Sequence, residues 1–361
     1  MSLKEIARLA GTSVATVSRV LNHPEHRCNE TGLSEKIWDI ATQLNYIPNT
    51  TARNLRLGTS SESTPFTVDI FLTRFDSMEK DTFFLELFQY LKKELLTTGC
   101  LLGEILNSID IMDLVSMSID SEQSPYATPL HRINKETQSS MTFIPHKENT
   151  GLIILGKCPS KIIPILRKRY YCIAGIDRNP TNYEYDEVVC NGTTAAEKAI
   201  EYLITLGHKN IAYIGDCTYE SRYIGYYQTL LSHKLPLNHT NVYPTSQTQE
   251  EGYHTMLSIL QTEERPSAIF CANDSTALGV LKALKQNKKK GYIPSVISID
   301  NIAASQKTLP MLTTIDIPKK EMAHFALSLL LDRKNKCHEE NVRIELPCRL
   351  IERESCTYYY G

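Results

Sequence analysis

The chain has 361 residues, a formal net charge of −2, 42% hydrophobic residues and 22% charged ones. That length suits two or three domains, and that composition belongs to a globular protein with a sizeable core, not to a fibrous or disordered chain. The slight acidity argues against indiscriminate attachment to nucleic acid, no apolar run is long enough to span a bilayer, and the ten cysteines form no C-x-x-C pair, which disfavours a metal cluster or a disulfide framework.

The first predicted elements are two short helices joined by a tight turn, over Leu3 to Asn22. Leu3, Ile6, Ala7 and Ala10 recur at helical spacing, and Gly11 permits the positive backbone angle that ends the first helix. Ser13 is placed to cap a second helix whose Val17, Val20 and Leu21 share one face. The opposite face carries Thr16, Ser18, Arg19 and Asn22, hydrogen-bonding groups that packing does not require. A helix-turn-helix offers such a face to the DNA major groove, although an ordinary helical hairpin with a solvated face has the same pattern. A third amphipathic helix follows, striped by Ile37, Trp38, Ala41 and Leu44, and it ends at Tyr46-Ile47-Pro48-Asn49. Residues 1–60 hold seven basic side chains against five acidic ones. That attraction for phosphate is modest, is doubled in a dimer, and makes binding salt-sensitive.

Past a Ser/Thr-rich linker, short apolar runs alternate with helical segments. They are Thr67–Leu72 then Phe83–Leu96, Gly151–Leu155 then Ser160–Arg169, Ile173–Ile176, Val188–Val189 then Ala195–Leu206, Ile211–Ile214 then Arg222–Ser232, Ala268–Cys271 then Ala277–Gln286, and Val296–Ile299. Such alternation implies parallel sheets with helices on both faces, and about 300 residues of it are too many for one open sheet. Two linked α/β lobes fit better. The stretch from Ser108 to Lys147 is polar and aperiodic, which reads as a surface excursion. Lys288-Lys289-Lys290 reads as a solvated loop.

Three motifs in order, TSVATVSRVLN, NYIPN and TARNLRLG, are similar to the DNA-binding domain and hinge of the LacI/GalR family of transcriptional repressors. The stretch between the second and third helices, His23 to Leu33, is slightly longer than the family pattern. LGHKNIAYIGD (Leu206–Asp216), SRYIGYY (Ser221–Tyr227), AIFCANDSTALGVLKAL (Ala268–Leu284), SVISIDNI (Ser295–Ile302), LPMLTTIDIPKKEM (Leu309–Met322) and LPCRLIERESC (Leu346–Cys356) resemble the family's effector-binding core. Gly156-Lys157-Cys158-Pro159 and its surroundings resemble the evolved β-galactosidase repressor branch, which points to a galactoside. The resemblance implies an all-α helix-turn-helix head and an α/β periplasmic-binding-protein-like core of two doubly wound parallel-sheet lobes. Its divisions are a DNA-binding domain over 1–48, a hinge helix over 49–58, a linker over 59–64 and a core over 65–356. Within the core, the N-lobe takes about 65–190 plus 315–333, and the C-lobe about 191–314 plus 340–356.

On the DNA side, Val14 and Ala15 are the expected specificity positions, small enough to meet a thymine methyl or to permit close groove approach, and Arg19 is the expected bidentate partner of a guanine. Ser13, Thr16, Ser18, Asn22 and His26 are expected at phosphates, with Ser13 alternatively serving only as a cap. The resemblance implies a hinge that folds only when paired on DNA. Leu55 would wedge into a minor-groove step, Ala52 would allow close approach of two hinges, and Arg53 and Arg56 would reach phosphates. The alternative for Leu55 is plain linker packing.

A sugar needs bidentate donors and acceptors in a cleft. Arg222, in S-R-x-x-G-Y, matches the family's hydroxyl-binding arginine. Asn273 and Asp300 follow strand ends, where α/β sheets bind ligands, and Asp274 is expected to cap the next helix. Phe83 and Phe84 open the first core helix, one to line the cleft and the other the core. Two positions depart from the family: Cys190-Asn191 replaces Asp-Asn, and Gln247 stands where many members have an aromatic residue.

The expectation is therefore a cytoplasmic, sequence-specific repressor that binds double-stranded operator DNA and is released by a sugar, with a galactoside the expected effector. With no signal peptide visible and no leucine heptads after Cys356, a homodimer without cofactor, metal or membrane partner is expected. One alternative keeps the fold but has DNA binding promoted by a co-repressor or a phosphorylated partner protein. A sugar-acting α/β enzyme is disfavoured, because no phosphate loop, nucleophile elbow or H-E-x-x-H pair is present.

Overall fold

A computed structural model describes residues 3–22, 32–44, 65–73, 81–107, 149–218, 220–287 and 292–360. His26, Ala52, Arg53, Leu55, Arg56, the polar stretch 108–147 and the lysine run 288–290 lie outside the described residues. In the head, α1 (Leu3–Ala10), α2 (Val14–Asn22) and α3 (Leu33–Gln43) pack around Ile6, Val17, Val20, Ile37, Trp38 and Ala41, all buried. Gly11 closes α1 at φ +72°, a left-handed angle that glycine adopts without penalty, while Thr12 N–H returns to the Ala7 carbonyl at 3.0 Å.

The chain divides into two compact units, one of residues 1–176, 181–187 and 323–342, the other of 177–180, 188–322 and 343–361. The first is built on a six-stranded sheet in the order β11-β5-β4-β3-β1-β2. These strands are β1 (Thr67–Leu72), β2 (Leu101–Leu106), β3 (Thr150–Leu155), β4 (Cys172–Asp177), β5 (Asp186–Val189) and β11 (Arg343–Glu345). β1 pairs in parallel with both β2 and β3, and β3 in parallel with β4. β1, β3 and β4 are almost wholly buried, as expected of parallel strands covered on both faces. α4 (Thr82–Thr98) starts where Asp81 accepts hydrogen bonds from the N–H groups of Phe83 and Phe84, at 3.0 and 3.3 Å. α5 (Ile163–Arg169) begins three residues later than the sequence pattern suggests, since Pro159–Ile162 forms a turn closed by Ile162 N–H on the Pro159 carbonyl.

The second unit repeats the plan in the order β12-β10-β9-β8-β6-β7. Its strands are β6 (Ile211–Gly215), β7 (Val242–Pro244), β8 (Ala268–Cys271), β9 (Ser295–Asp300), β10 (Thr313–Asp316) and β12 (Arg349–Ile351). Its pairings are parallel except at the edge, where β12 runs antiparallel to β10. The helices are α6 (Gly192–Thr205), α7 (Ser221–Ser232), α8 (Gln249–Ile259) and α9 (Asp274–Gln286); α10 (Lys319–Lys334) follows β10 and from Ala323 on belongs to the first unit. α8, absent from the sequence-predicted elements, carries a full capping box between Thr248 and Glu251. The turns after β6, β8 and β9 bring their side chains to one end of the sheet, where such folds bind ligands. Among the described residues no helix is long and apolar enough to cross a membrane.

Candidate DNA-binding and effector sites

Ser13 caps α2: its Oγ accepts the Thr16 N–H at 3.0 Å and shares a 2.9 Å hydrogen bond with the Thr16 hydroxyl. The cap fixes the helix start, so that Val14 (40% exposed) and Ala15 project from the first turn and Arg19 projects exposed from the last. Ser18 is half-buried on the same helix, and Asn22 is its last residue. A short capped helix with small apolar residues at its N-terminus and an arginine beyond them can enter a major groove and hydrogen-bond base edges.

In the second unit the predicted effector residues fall into two linked groups. Arg222, one residue into α7 and 1% exposed, donates from Nε to Glu220 Oε1 at 2.7 Å, from Nη1 to the Ala272 carbonyl at 2.7 Å and from Nη2 to Gln247 Oε1 at 3.0 Å. Glu220 also caps α7. Burial pushes the Glu220 carboxyl up, but the charge and hydrogen bonds of Arg222 more than reverse this and hold it down at about 2. Asn273 joins this group by donating Nδ2–H to the Gln247 carbonyl at 3.0 Å.

Asp300 centres the other group. Its carboxylate meets the Arg178 guanidinium at 2.5 Å with both side chains buried, and its carbonyl accepts from Lys319 Nζ at 2.6 Å. Lys319 also reaches the Asn301 carbonyl at 3.1 Å. Asp300 and Asn301 have φ of +128° and +49°, angles that side chains avoid, so the ammonium pins a strained turn that presents Asp300. The two groups feel each other, since the charge of Asp300 acts on Arg222 and that of Arg178 on Glu220.

One expectation needs correction. The cap of α9 is Asn273, not Asp274: its Oδ1 accepts from the Thr276 N–H at 2.9 Å and the Thr276 hydroxyl at 2.7 Å. Asp274 is instead buried inside the unit, accepting from Ser298 Oγ, Thr314 Oγ1 and Ile302 N–H at 2.5, 2.6 and 2.8 Å. Burial first, then the charge of Asp300, pushes its carboxyl up to about 7. Phe83 and Phe84 are both buried in the first unit, 2% and 4% exposed, with their rings edge to face at 5.2 Å. Phe84 packs over Gly156, which sits at φ +93° where a side chain would collide with Thr73 Oγ1, so the Gly-Lys motif has a backbone reason to hold glycine.

Sequence reading missed Arg178, Glu220 and Lys319. A glutamate two residues before the predicted arginine, at a helix start, was a usable signal for Glu220. Arg178 and Lys319 had none, since their partners Asp300 and Asn301 are remote in sequence. Cys190, the other departure, is buried with its thiol pushed up by a hydrogen bond with Cys348 and by burial. Among the described residues no group of three or more His, Cys, Asp or Glu could hold a metal ion.

A capped recognition helix on one chain with two doubly wound lobes defines a ligand-responsive DNA-binding regulator. Residues 2–49 match the family model of bacterial regulatory proteins of the lacI family, and residues 200–356 match that of the periplasmic binding protein-like domain. The chain thus joins a lacI-family DNA-binding domain to a periplasmic binding protein-like domain. It is 26% identical, over 98% of both chains, to the HTH-type transcriptional repressor PurR of Mannheimia succiniciproducens. Two solved structures share its fold. The transcriptional regulator CelR in complex with cellobiose has a TM-score of 0.64 at 20% identity, covering 99% of this chain and 100% of that one. The lac repressor dimer bound to operator and the anti-inducer ONPF has a TM-score of 0.63 at 18% identity, covering 99% of each chain.

Proposed function

We propose that the chain is a transcriptional repressor that binds a pseudo-palindromic operator as a homodimer and leaves it when a sugar, a galactoside by the resemblance of its Gly156–Pro159 region, occupies the core. The observation that carries this reading is the head: a Ser13-capped helix presenting Val14, Ala15 and Arg19, within the segment matched by the lacI-family model. Ser13, Thr16, Ser18, Asn22 and His26 would set register on phosphates while residues 52–56 enter the minor groove. The buried, charge-paired groups around Arg222, Asn273 and Asp300 suit a polyhydroxylated ligand, since each pairs fixed donors with fixed acceptors.

The fold neighbour holding cellobiose supports a saccharide, and the repressor PurR supports the direction of control. Titrating operator-bound protein with galactose, lactose, cellobiose and ribose tests the reading. Release by a sugar supports it; tighter binding favours the co-repressor alternative, and indifference to all four removes the sugar.

A further inference from the structure

The hydrophobic cluster of the head has one member that the head does not supply. Its buried residues, Trp38 among them, come from α1, α2 and α3, but the half-buried Leu96 packed against them comes from α4. Head and α4 belong to the same compact unit. α4 lays Leu87, Leu91 and Leu95 along its buried face. Leu96 follows Leu95 and so points about 100° round the helix from that face. Lys93, three residues before Leu96, shares its side of the helix. The Lys93 ammonium sits 5.8 Å from the centre of the Trp38 ring, within cation–π range. Between them Glu94 turns away to α10, its Oε2 lying 3.1 Å from His324 Nδ1, which ties these turns of α4 to a second helix.

α4 therefore meets α3 with a leucine and a cation, on a side of the helix that its own buried face does not use. The contact also leaves the recognition surface open. Val14 is 40% exposed, and Ala15 and Arg19 are exposed as well. The head is thus held by a side other than the one that enters a groove. A head already held in place has less orientational freedom to lose on meeting DNA, and such preorganisation strengthens binding.

We infer that the last turns of α4 are a docking seat for the head of the same chain: Leu96 packs on its cluster, Lys93 covers Trp38, and the head so held binds duplex DNA more tightly than a free one. The inference rests on reading the head as an operator-binding domain.

Trp38 is the one tryptophan of the chain, so intrinsic fluorescence reads the seat directly. In the full-length protein without DNA, Leu96→Asp and Lys93→Gln should move the Trp38 emission to the red and steepen its quenching by acrylamide, Leu96→Asp by more. Leu96→Met, which keeps an apolar side chain, should match the wild type. The probe for binding is the duplex that the wild type prefers among those tiled upstream of its own gene. Leu96→Asp and Lys93→Gln should bind it about fivefold more weakly or worse, because the seated fraction falls. Emission and quenching equal to wild type in both variants overturn the inference, since the head is then not seated. Altered emission with equal or tighter binding overturns it too, since the seat then does nothing for binding. Should Leu96→Asp lose its cooperative thermal transition, Lys93→Gln decides both readouts. If the wild type prefers no duplex, the operator reading falls, and the emission decides separately whether α4 seats the head.

Discussion

Glu220 and Arg222 show how much a buried pair depends on where a helix starts. Residues two apart do not meet inside a helix, yet Glu220 is the cap and stands outside it, free to turn back onto the guanidinium at 2.7 Å. An unfolded glutamate titrates near 4.5, whereas this one titrates near 2. Its folded value is depressed, so its contribution is complete above the unfolded value and is lost as pH falls from 4.5 toward 2. We expect the wild type to lose about 3 kcal/mol of stability across that window and Glu220→Gln to show no such loss, measured by denaturant unfolding at stepped pH. At pH 7 the variant should be weaker by about 3 kcal/mol, because it leaves Arg222 buried without a counter-charge. On the head, Arg19→Ala should cost about 1–3 kcal/mol of operator preference in competition binding and leave sugar binding unchanged.

At the scale of elements, close helix packing hangs on glycines that pattern analysis passes over. A Cβ on Gly279 would lie 2.0 Å from the Gln249 carbonyl oxygen, and one on Gly252 would lie 2.2 Å from that of Thr276, so α8 and α9 touch backbone to backbone. Gly279→Ala should destabilise the second unit by about 1–3 kcal/mol in thermal unfolding, by forcing the helices apart. Ser13→Ala should cost about 1 kcal/mol of head stability by removing the α2 cap, and should weaken operator binding through fraying of the first turn. What could be read from sequence follows the same division. The head was legible because apolar spacing, Gly11 and Ser13 are local signals, and β1, β3, β4, β6, β8 and β9 because buried parallel strands are apolar runs, whereas β2, β7 and β10 were missed. Asn273 and Asp274 were exchanged in role because both residue types favour a helix start, and only Ser298 and Thr314, supplied by β9 and β10, decide which one is buried. Lys319 and Lys320 are adjacent in one charged run, yet one is buried on the turn at Asp300 and the other is exposed.

For the whole molecule, alternating strands and helices sufficed to predict two α/β lobes, but not the antiparallel edge strand β12, whose three residues carry no pattern of their own. A head with so small a positive excess binds DNA firmly only through several phosphate contacts from two copies, so operator affinity should fall steeply between 50 and 200 mM salt, read as the slope of log affinity against log salt. Control by a sugar requires that the ligand bind the two states of the protein unequally. The most direct measurement is fluorescence anisotropy on duplexes tiled across the DNA upstream of the protein's own gene, repeated with galactose, lactose, cellobiose and ribose. The account predicts one pseudo-palindromic duplex bound in preference to the rest and its affinity lowered about tenfold or more by a sugar. Equal binding to every duplex, or a preferred duplex that all four sugars leave untouched, would contradict it.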